Sequence, residues 1–162
     1  MTEVFRICSG KYSAFDGIGS SLHPGRWNMA GEKVIYTAGS RAMAVLEAFT
    51  HLGPVRPADY VIRRAEIPDA VRILYPNEHP ARIDGFKWAL SDPVLSRTLG
   101  SQWVATRETA VLAVPSVLVP DEFNFLLNPA HPQFTRISVH NPEPYQFDER
   151  LWKAAAGPFN LD

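Results

Sequence analysis

Arg6, Arg26, Tyr36, Glu47 and Ser116 stand at the edges of apolar stretches, and their types can do chemistry. A guanidinium holds anions through charge-assisted, often bidentate hydrogen bonds; a carboxylate handles a proton or stabilises developing positive charge; a phenol or a hydroxyl orients either. Each residue also has an ordinary explanation. Arg6 can pair with a carboxylate, Tyr36 can be a core aromatic with its hydroxyl at the surface, Glu47 can be a solvated helix position, and Ser116 can terminate a strand. Type and spacing alone leave both readings open.

Other chemistries are poorly supplied. His23, His51, His79, His131 and His140 show none of the compact paired spacings of metal ligands, and one cysteine, Cys8, excludes both a cysteine-rich zinc site and an intramolecular disulfide. No metal is expected. There is no G-x-x-x-x-G-K-[ST] loop, Gly17-Ile18-Gly19 lacks the third glycine of a dinucleotide fingerprint, and Ser116 lies in Val114-Pro115-Ser116-Val117 rather than in a G-x-S-x-G elbow. Cys8, within an apolar strand pattern, reads as a small core residue rather than a nucleophile.

These residues must be positioned by secondary structure, which the pattern outlines. Residues 4–8 predict a short strand with Phe5 and Ile7 on one face and Val4, Arg6 and Cys8 on the other. Residues 9–31, rich in Gly, Ser and Pro but interrupted by Leu22, Trp27 and Met29, read as a long ordered surface loop. A second strand at 33–38 puts Val34, Tyr36 and Ala38 on one face. Ser40 then caps a helix over 41–52, whose apolar stripe is Ala42, Val45, Leu46 and Phe49, with Glu47 off that stripe.

Further strands are expected at 60–67 and 71–74, and an irregular stretch at 75–83. Ser91-Asp92-Pro93 starts a short helix that Gly100 stops. Residues 109–114 form a buried strand held extended by Pro115, with Ser116 at its end. Residues 124–132 read as turn-rich, 136–140 as a late strand and 148–156 as a small terminal helix. Strands outnumber helices without alternating with them, which predicts a mixed α+β fold, one domain over residues 1–162, with a central β-sheet and short flanking helices.

Composition agrees with one core. The chain has 162 residues, 46% hydrophobic and 20% charged, which weighs against disorder, collagen and coiled coils. Its net charge of -1 lacks the positive field of a phosphate-backbone binder, so direct nucleic-acid binding is not expected. The first residues lack the apolar stretch of a signal peptide, and the most apolar run, 111–119, is far below the roughly 20 residues that span a bilayer. A cytoplasmic location away from membranes is expected.

The order Phe5-Arg6, Gly25-Arg26-Trp27-Asn28, Gly31, Val34-Ile35-Tyr36, Ala44-x-x-Glu47 and His51 resembles the first half of a RES-domain protein. Trp103, the apolar strand ending in Val114-Pro115-Ser116, then Asn124 and Leu127-Asn128-Pro129-x-His131-Pro132, are similar to the later blocks, so the resemblance runs over about residues 4–147. One departure is His23-Pro24 before Gly25, where many relatives have a second glycine.

The family is named for an arginine, a glutamate and a serine, which stand here as Arg6, Glu47 and Ser116, with Tyr36 as the usual fourth member. The resemblance implies a bacterial toxin with an ADP-ribosyltransferase-like fold, encoded with an antitoxin that carries an Xre-type helix-turn-helix, and consuming NAD. It also implies roles. Glu47 is the catalytic carboxylate, Arg6 and Arg26 bind the pyrophosphate, Tyr36 stacks on nicotinamide, Ser116 bonds the ribose or Glu47, and Trp27 and Asn28 shape the NAD-binding loop. Water, phosphate or a target molecule is the acceptor. The alternatives are an ADP-ribosyltransferase, or a catalytically weak domain that binds its antitoxin and tunes repression.

Overall fold

The structure is a computed structural model and describes residues 1–12, 15–53, 58–78 and 92–152. Elements run β1 (Thr2–Ser9), a 3-10 turn (Gly10–Tyr12), α1 (Ile18–Leu22), β2 (Ile35–Ala38), α2 (Arg41–Phe49), β3 (Tyr60–Ile67) and β4 (Ile73–Leu74). A 3-10 turn (Pro76–Glu78), α3 (Pro93–Thr106), β5 (Val111–Pro115), β6 (Phe123–Leu127), a 3-10 segment (Pro132–Arg136), β7 (Ser138–Val139) and β8 (Glu143–Pro144) follow. Residues 79–83 of the irregular stretch, Ser91 and 153–156 of the terminal helix lie outside the described residues.

Strand pairing produces one mixed sheet in the order β4-β5-β6-β2-β1-β3-β7, with β8 added to β3. All pairs are antiparallel except β4 with β5. β1 and β3 pair along their whole lengths, from Thr2↔Ile67 to Ser9↔Tyr60, whereas β1 and β2 meet only at Phe5↔Ala38. The sheet is therefore two ladders joined at one point, and a cleft opens where β1 and β2 part. Period-two alternation buries both faces. Val4, Ile35, Val111 and Leu127 pack on one side, and Val34, Leu112 and Leu126 pack on the other against Trp27, Leu99 and Trp103.

Several elements differ from the sequence reading. The stretch 9–31 holds the Gly10–Tyr12 turn and α1 rather than loop alone. β2 begins at Ile35 and β4 at Ile73, each two residues later than read. Phe123–Leu127 is a strand where a turn-rich segment was expected, because the polar Asn124 is followed by three apolar residues that β2 and β5 sandwich. The late strand shrinks to Ser138–Val139 because Pro132, opening a 3-10 segment capped by the His131 ring, holds the chain up to Arg136. Cys8 is half-buried, and its thiol donates to the Tyr12 carbonyl at 3.5 Å, so it is not a core residue.

The face of α2 also differs. Ser40 caps it as expected, its hydroxyl accepting from the Met43 N–H. Met43 and Ala44, however, are the buried residues, packed on Phe5, Ala38 and Ile62, while Leu46 is 39% exposed and Ala42 is also exposed. Val45 and Phe49 are half-buried, with Phe49 edge-on to Trp152. Small residues at 44 and 48 let the helix approach the sheet, and that choice rotates Glu47, one turn on from Met43, onto the sheet side.

α3 is capped by Asp92, whose carboxylate accepts from the Val94 and Leu95 N–H groups, with Pro93 in the first turn. It does not stop at Gly100. It continues to Thr106 and ends on Arg107 in the left-handed region, φ 50°. Gly100 is needed for close approach, since a Cβ there would lie 1.8 Å from the Trp27 carbonyl oxygen. Among the described residues no helix is long and apolar enough to cross a membrane. Gly100→Ala is expected to lower unfolding free energy by about 2 kcal/mol or more in urea denaturation, because backbone must move. If the substitution stabilises the protein instead, by the roughly 1 kcal/mol of helix propensity it gains, the close contact is disproved.

Candidate active site

The cleft between the two ladders has a volume of about 620 Å³, within the range of small-molecule sites. Its wall includes Arg6, Arg26, Tyr36, Glu47, His51 and Asn124. Where β1 leaves β2, strand carbonyls lose their ladder partners. The Arg6 guanidinium answers one of them, Nη1 donating to the Tyr36 carbonyl at 3.3 Å. Its Nε is buried without a partner, and no carboxylate among the described residues pairs with it. Arg63, directly across the β1–β3 ladder, likewise has a buried, unpartnered Nε, although it is not part of the cleft wall. Like charges facing across a ladder repel, so this pairing does not add to stability. Sequence reading did not single out Arg63, because register is visible only in the folded sheet.

One wall is a loop built around Tyr36 and Asn28. Asn28 is fully buried, its Nδ2 donating to the carbonyls of Ser20 and Met29 and its Oδ1 accepting from the Gly25 N–H and the Tyr36 hydroxyl. The Tyr36 hydroxyl also accepts from the Trp27 N–H at 3.0 Å. Gly25 has no room for a side chain, since a Cβ would lie 2.5 Å from the same hydroxyl. From α3, Arg97 donates to the Gly25 carbonyl and Ser101 to Glu32, tying the loop to the helix.

These contacts decide what the loop residues can do. Burial pushes the Tyr36 phenol up to about 12, only partly offset by the Trp27 N–H. The phenol is neutral at any ordinary working pH and its oxygen is committed, so the ring is what Tyr36 offers to the cleft. Asn28 is fully buried outside the cleft wall and acts on the loop through its hydrogen bonds. Trp27 is nearly buried against the sheet, and Arg26 lines the cleft wall.

The opposite side carries Glu47. Ser116, buried just after β5, accepts at its Oγ from the Leu118 and Val119 N–H groups, both at 3.1 Å, which leaves its own proton to donate to Glu47 Oε1 at 3.2 Å. Asn124 Nδ2 donates to the same oxygen at 2.6 Å. Glu47 Oε2 has no hydrogen-bond partner among the described residues. Ser116 is thus behind the carboxylate and is not in the cleft wall. Asn124 Oδ1 has no hydrogen-bond partner among the described residues. Sequence reading matched Asn124 to the later family blocks and placed it in a turn-rich stretch, but gave it no role; only the β2–β6 register aims it at Glu47. Among the described residues no group of three or more His, Cys, Asp or Glu side chains forms a cation site.

The sequence profile described as the RES domain matches residues 3–148. The chain is 36% identical to a protein named Prs ADP-ribosylating toxin from Sphingobium sp. (strain YBL2), across 95% of this chain and 99% of the relative. It is 35% identical to a Toxin Res of Yersinia enterocolitica serotype O:8, across 91% and 98%. Among solved structures, a chain of the M. tuberculosis MbcT-MbcA toxin-antitoxin complex superposes with a TM-score of 0.69 over 94% of this chain and 87% of that one, at 14% identity, and so shares its fold. Matched by the family profile from β1 to the end of the sheet and by toxins along nearly their full lengths, this chain belongs to the RES-domain family of toxins.

Proposed function

We propose that this toxin of a toxin–antitoxin system consumes NAD by breaking the bond between nicotinamide and ribose. The observation that supports it best is that Glu47, held by one oxygen, is the lone carboxylate among the described residues of the cleft wall, facing the guanidinium groups of Arg6 and Arg26. Ordinary glycosidases need two carboxyl groups because an alkoxide must be protonated as it leaves. The nicotinamide of NAD is a pyridinium. When its bond to the sugar breaks, the electron pair goes to the ring nitrogen and a neutral molecule departs, so no acid is required. One carboxylate then suffices to stabilise the oxocarbenium-like sugar.

The remaining residues take supporting parts. Arg6 and Arg26 hold the diphosphate by charge-assisted hydrogen bonds, the Tyr36 ring offers a face to nicotinamide, and Ser116 holds Glu47 rather than the sugar. The acceptor oxygen attacks the anomeric carbon and loses its proton, giving ADP-ribose when the acceptor is water. A second reading is transfer of ADP-ribose to a target, favoured by the name of the Sphingobium relative. Pure protein mixed with NAD separates the two: hydrolysis yields nicotinamide and free ADP-ribose without an added acceptor, whereas transfer yields nicotinamide only with its target.

The partner is an antitoxin with a DNA-binding helix-turn-helix of the Xre type, and the net charge of -1 leaves DNA affinity to that partner. The toxin acts where NAD is, in the cytoplasm. A cleft walled by arginines is most simply closed by a carboxylate or an apolar plug. The purified complex is accordingly expected to cleave NAD at least tenfold more slowly than the free chain; equal rates would rule out occlusion.

Two substitutions test the roles. Glu47→Gln removes only the charge, so turnover should fall about a hundredfold or more, equivalent to roughly 3 kcal/mol, with little change in the NAD dissociation constant. Wild-type turnover would remove Glu47 from the reaction. Arg6→Lys keeps a charge and a donor for the Tyr36 carbonyl but loses the planar fork, so it should weaken NAD binding about tenfold at an unchanged melting temperature. A parallel loss of folding would make Arg6 a structural residue.

A further inference from the structure

We propose that Asn124 is a positioning residue for the Glu47 carboxylate, fixing it through Oε1 so that Oε2 alone is presented to the reacting sugar. The proposal rests on the reading of Glu47 as the acting carboxylate. Its basis is a difference in rigidity between the two partners. Asn124 sits on β6 with Ala38 of β2 opposite on one side and Val114 of β5 on the other, so its backbone is fixed by ladders at both edges. Glu47 extends from a helix by three rotatable bonds. A 2.6 Å bond from Nδ2 transfers the rigidity of the sheet to the carboxylate.

The second donor acts on the same atom. Ser116 also reaches Oε1, so both protein donors converge on one oxygen and neither touches the other. Rotation of the carboxylate would break both bonds at once. The two oxygens are thereby made unequal, one anchored and one available.

The other end of the amide supplies an independent argument. Asn124 Oδ1 is buried with no partner among the described residues. A leucine would fill similar space among apolar neighbours without that unmet acceptor. Stability therefore does not explain an amide here, whereas the Nδ2 bond to Glu47 does. Such local conflicts between packing and side-chain choice are characteristic of functional positions.

The test uses the purified chain with NAD and four variants: Asn124→Leu, Asn124→Asp, Glu47→Gln and the double variant Glu47→Gln with Asn124→Leu. Asn124→Leu should melt no lower than wild type, lose about 10- to 100-fold in kcat and change KM by less than about twofold, as expected for loss of orientation. In the Glu47→Gln background the same change should cost less than about twofold, because there is no carboxylate left to orient. Asn124→Asp is nearly isosteric and sets a second carboxylate against Glu47; the pair then shares a proton, and the acid limb of the kcat profile should move about one pH unit or more toward higher pH. An Asn124 side chain that does not reach Glu47 would leave that profile in place, so this variant tests the contact and Asn124→Leu tests its effect on turnover.

Wild-type kcat in Asn124→Leu, multiplicative losses in the double variant, or an unshifted profile in Asn124→Asp each overturns the proposal. Should Asn124→Leu fail to fold, Asn124→Ala, which also removes the Nδ2 donor, decides by the same loss of kcat at nearly unchanged KM. If Glu47→Gln itself keeps wild-type turnover, the reading of Glu47 falls first; if it is inactive while Asn124→Leu is fully active, only the role of Asn124 falls.

Discussion

The single pairing of β1 with β2 at Phe5↔Ala38 is the constraint on which the rest of the molecule depends. A sheet continuous through these strands would have no cleft, and a complete break would leave two ladders without a common core. Parting the strands beyond one residue pair exposes backbone groups that must find partners, each at a cost comparable to a lost hydrogen bond. Arg6 meets part of that demand through the Tyr36 carbonyl while its Nε has no acceptor among the described residues. The same guanidinium therefore closes a backbone deficit and leaves a charge in the cleft.

A comparable economy holds the facing loop. Asn28 substitutes for a strand by satisfying several backbone groups from one buried amide, and the Tyr36 hydroxyl is drawn into that network at both its donor and acceptor sites. Two glycines make this possible for steric reasons. Gly25 lets the loop lie against the tyrosine ring, and Gly100 lets α3 lie against the Trp27 carbonyl. Neither has a positive φ among the backbone exceptions, so their role is space rather than backbone freedom.

Much of this was legible in the sequence. Alternation located β1, β-branched and aromatic composition β3, a short apolar run before Pro115 β5, and Ser40 and Asp92 announced their helices, because composition, periodicity and capping are written in neighbouring residues. The α2 face was not legible. Ala42, Val45, Leu46 and Phe49 form the more apolar stripe, yet the helix turns its small residues to the sheet because close approach requires them, and close approach is a property of the partner surface. Gly100 shows the same limit: a stop signal by type, it is a contact site by position. The family residues around the cleft, Asn124 among them, were legible as types in order, whereas the contact of Asn124 with Glu47 and the pairing of Arg63 with Arg6 come from strand register, which no local pattern encodes.

In the proposed reaction the position of Glu47 Oε2 matters more than its charge. The pyridinium of bound NAD is already positive, so a carboxylate that attracted the ring and the transition state equally would tighten binding without raising turnover. Positive charge moves from the ring to the sugar as the bond breaks. Only an oxygen held nearer the sugar than the ring gains from that movement, and the gain grows as the separation between the two loci is resolved more sharply. A carboxylate free to rotate would spread its charge over both. Anchoring Oε1 to Ser116 and Asn124 confines the charge that faces the cleft to one atom, which is how a lone carboxylate can discriminate between two states of the same net charge.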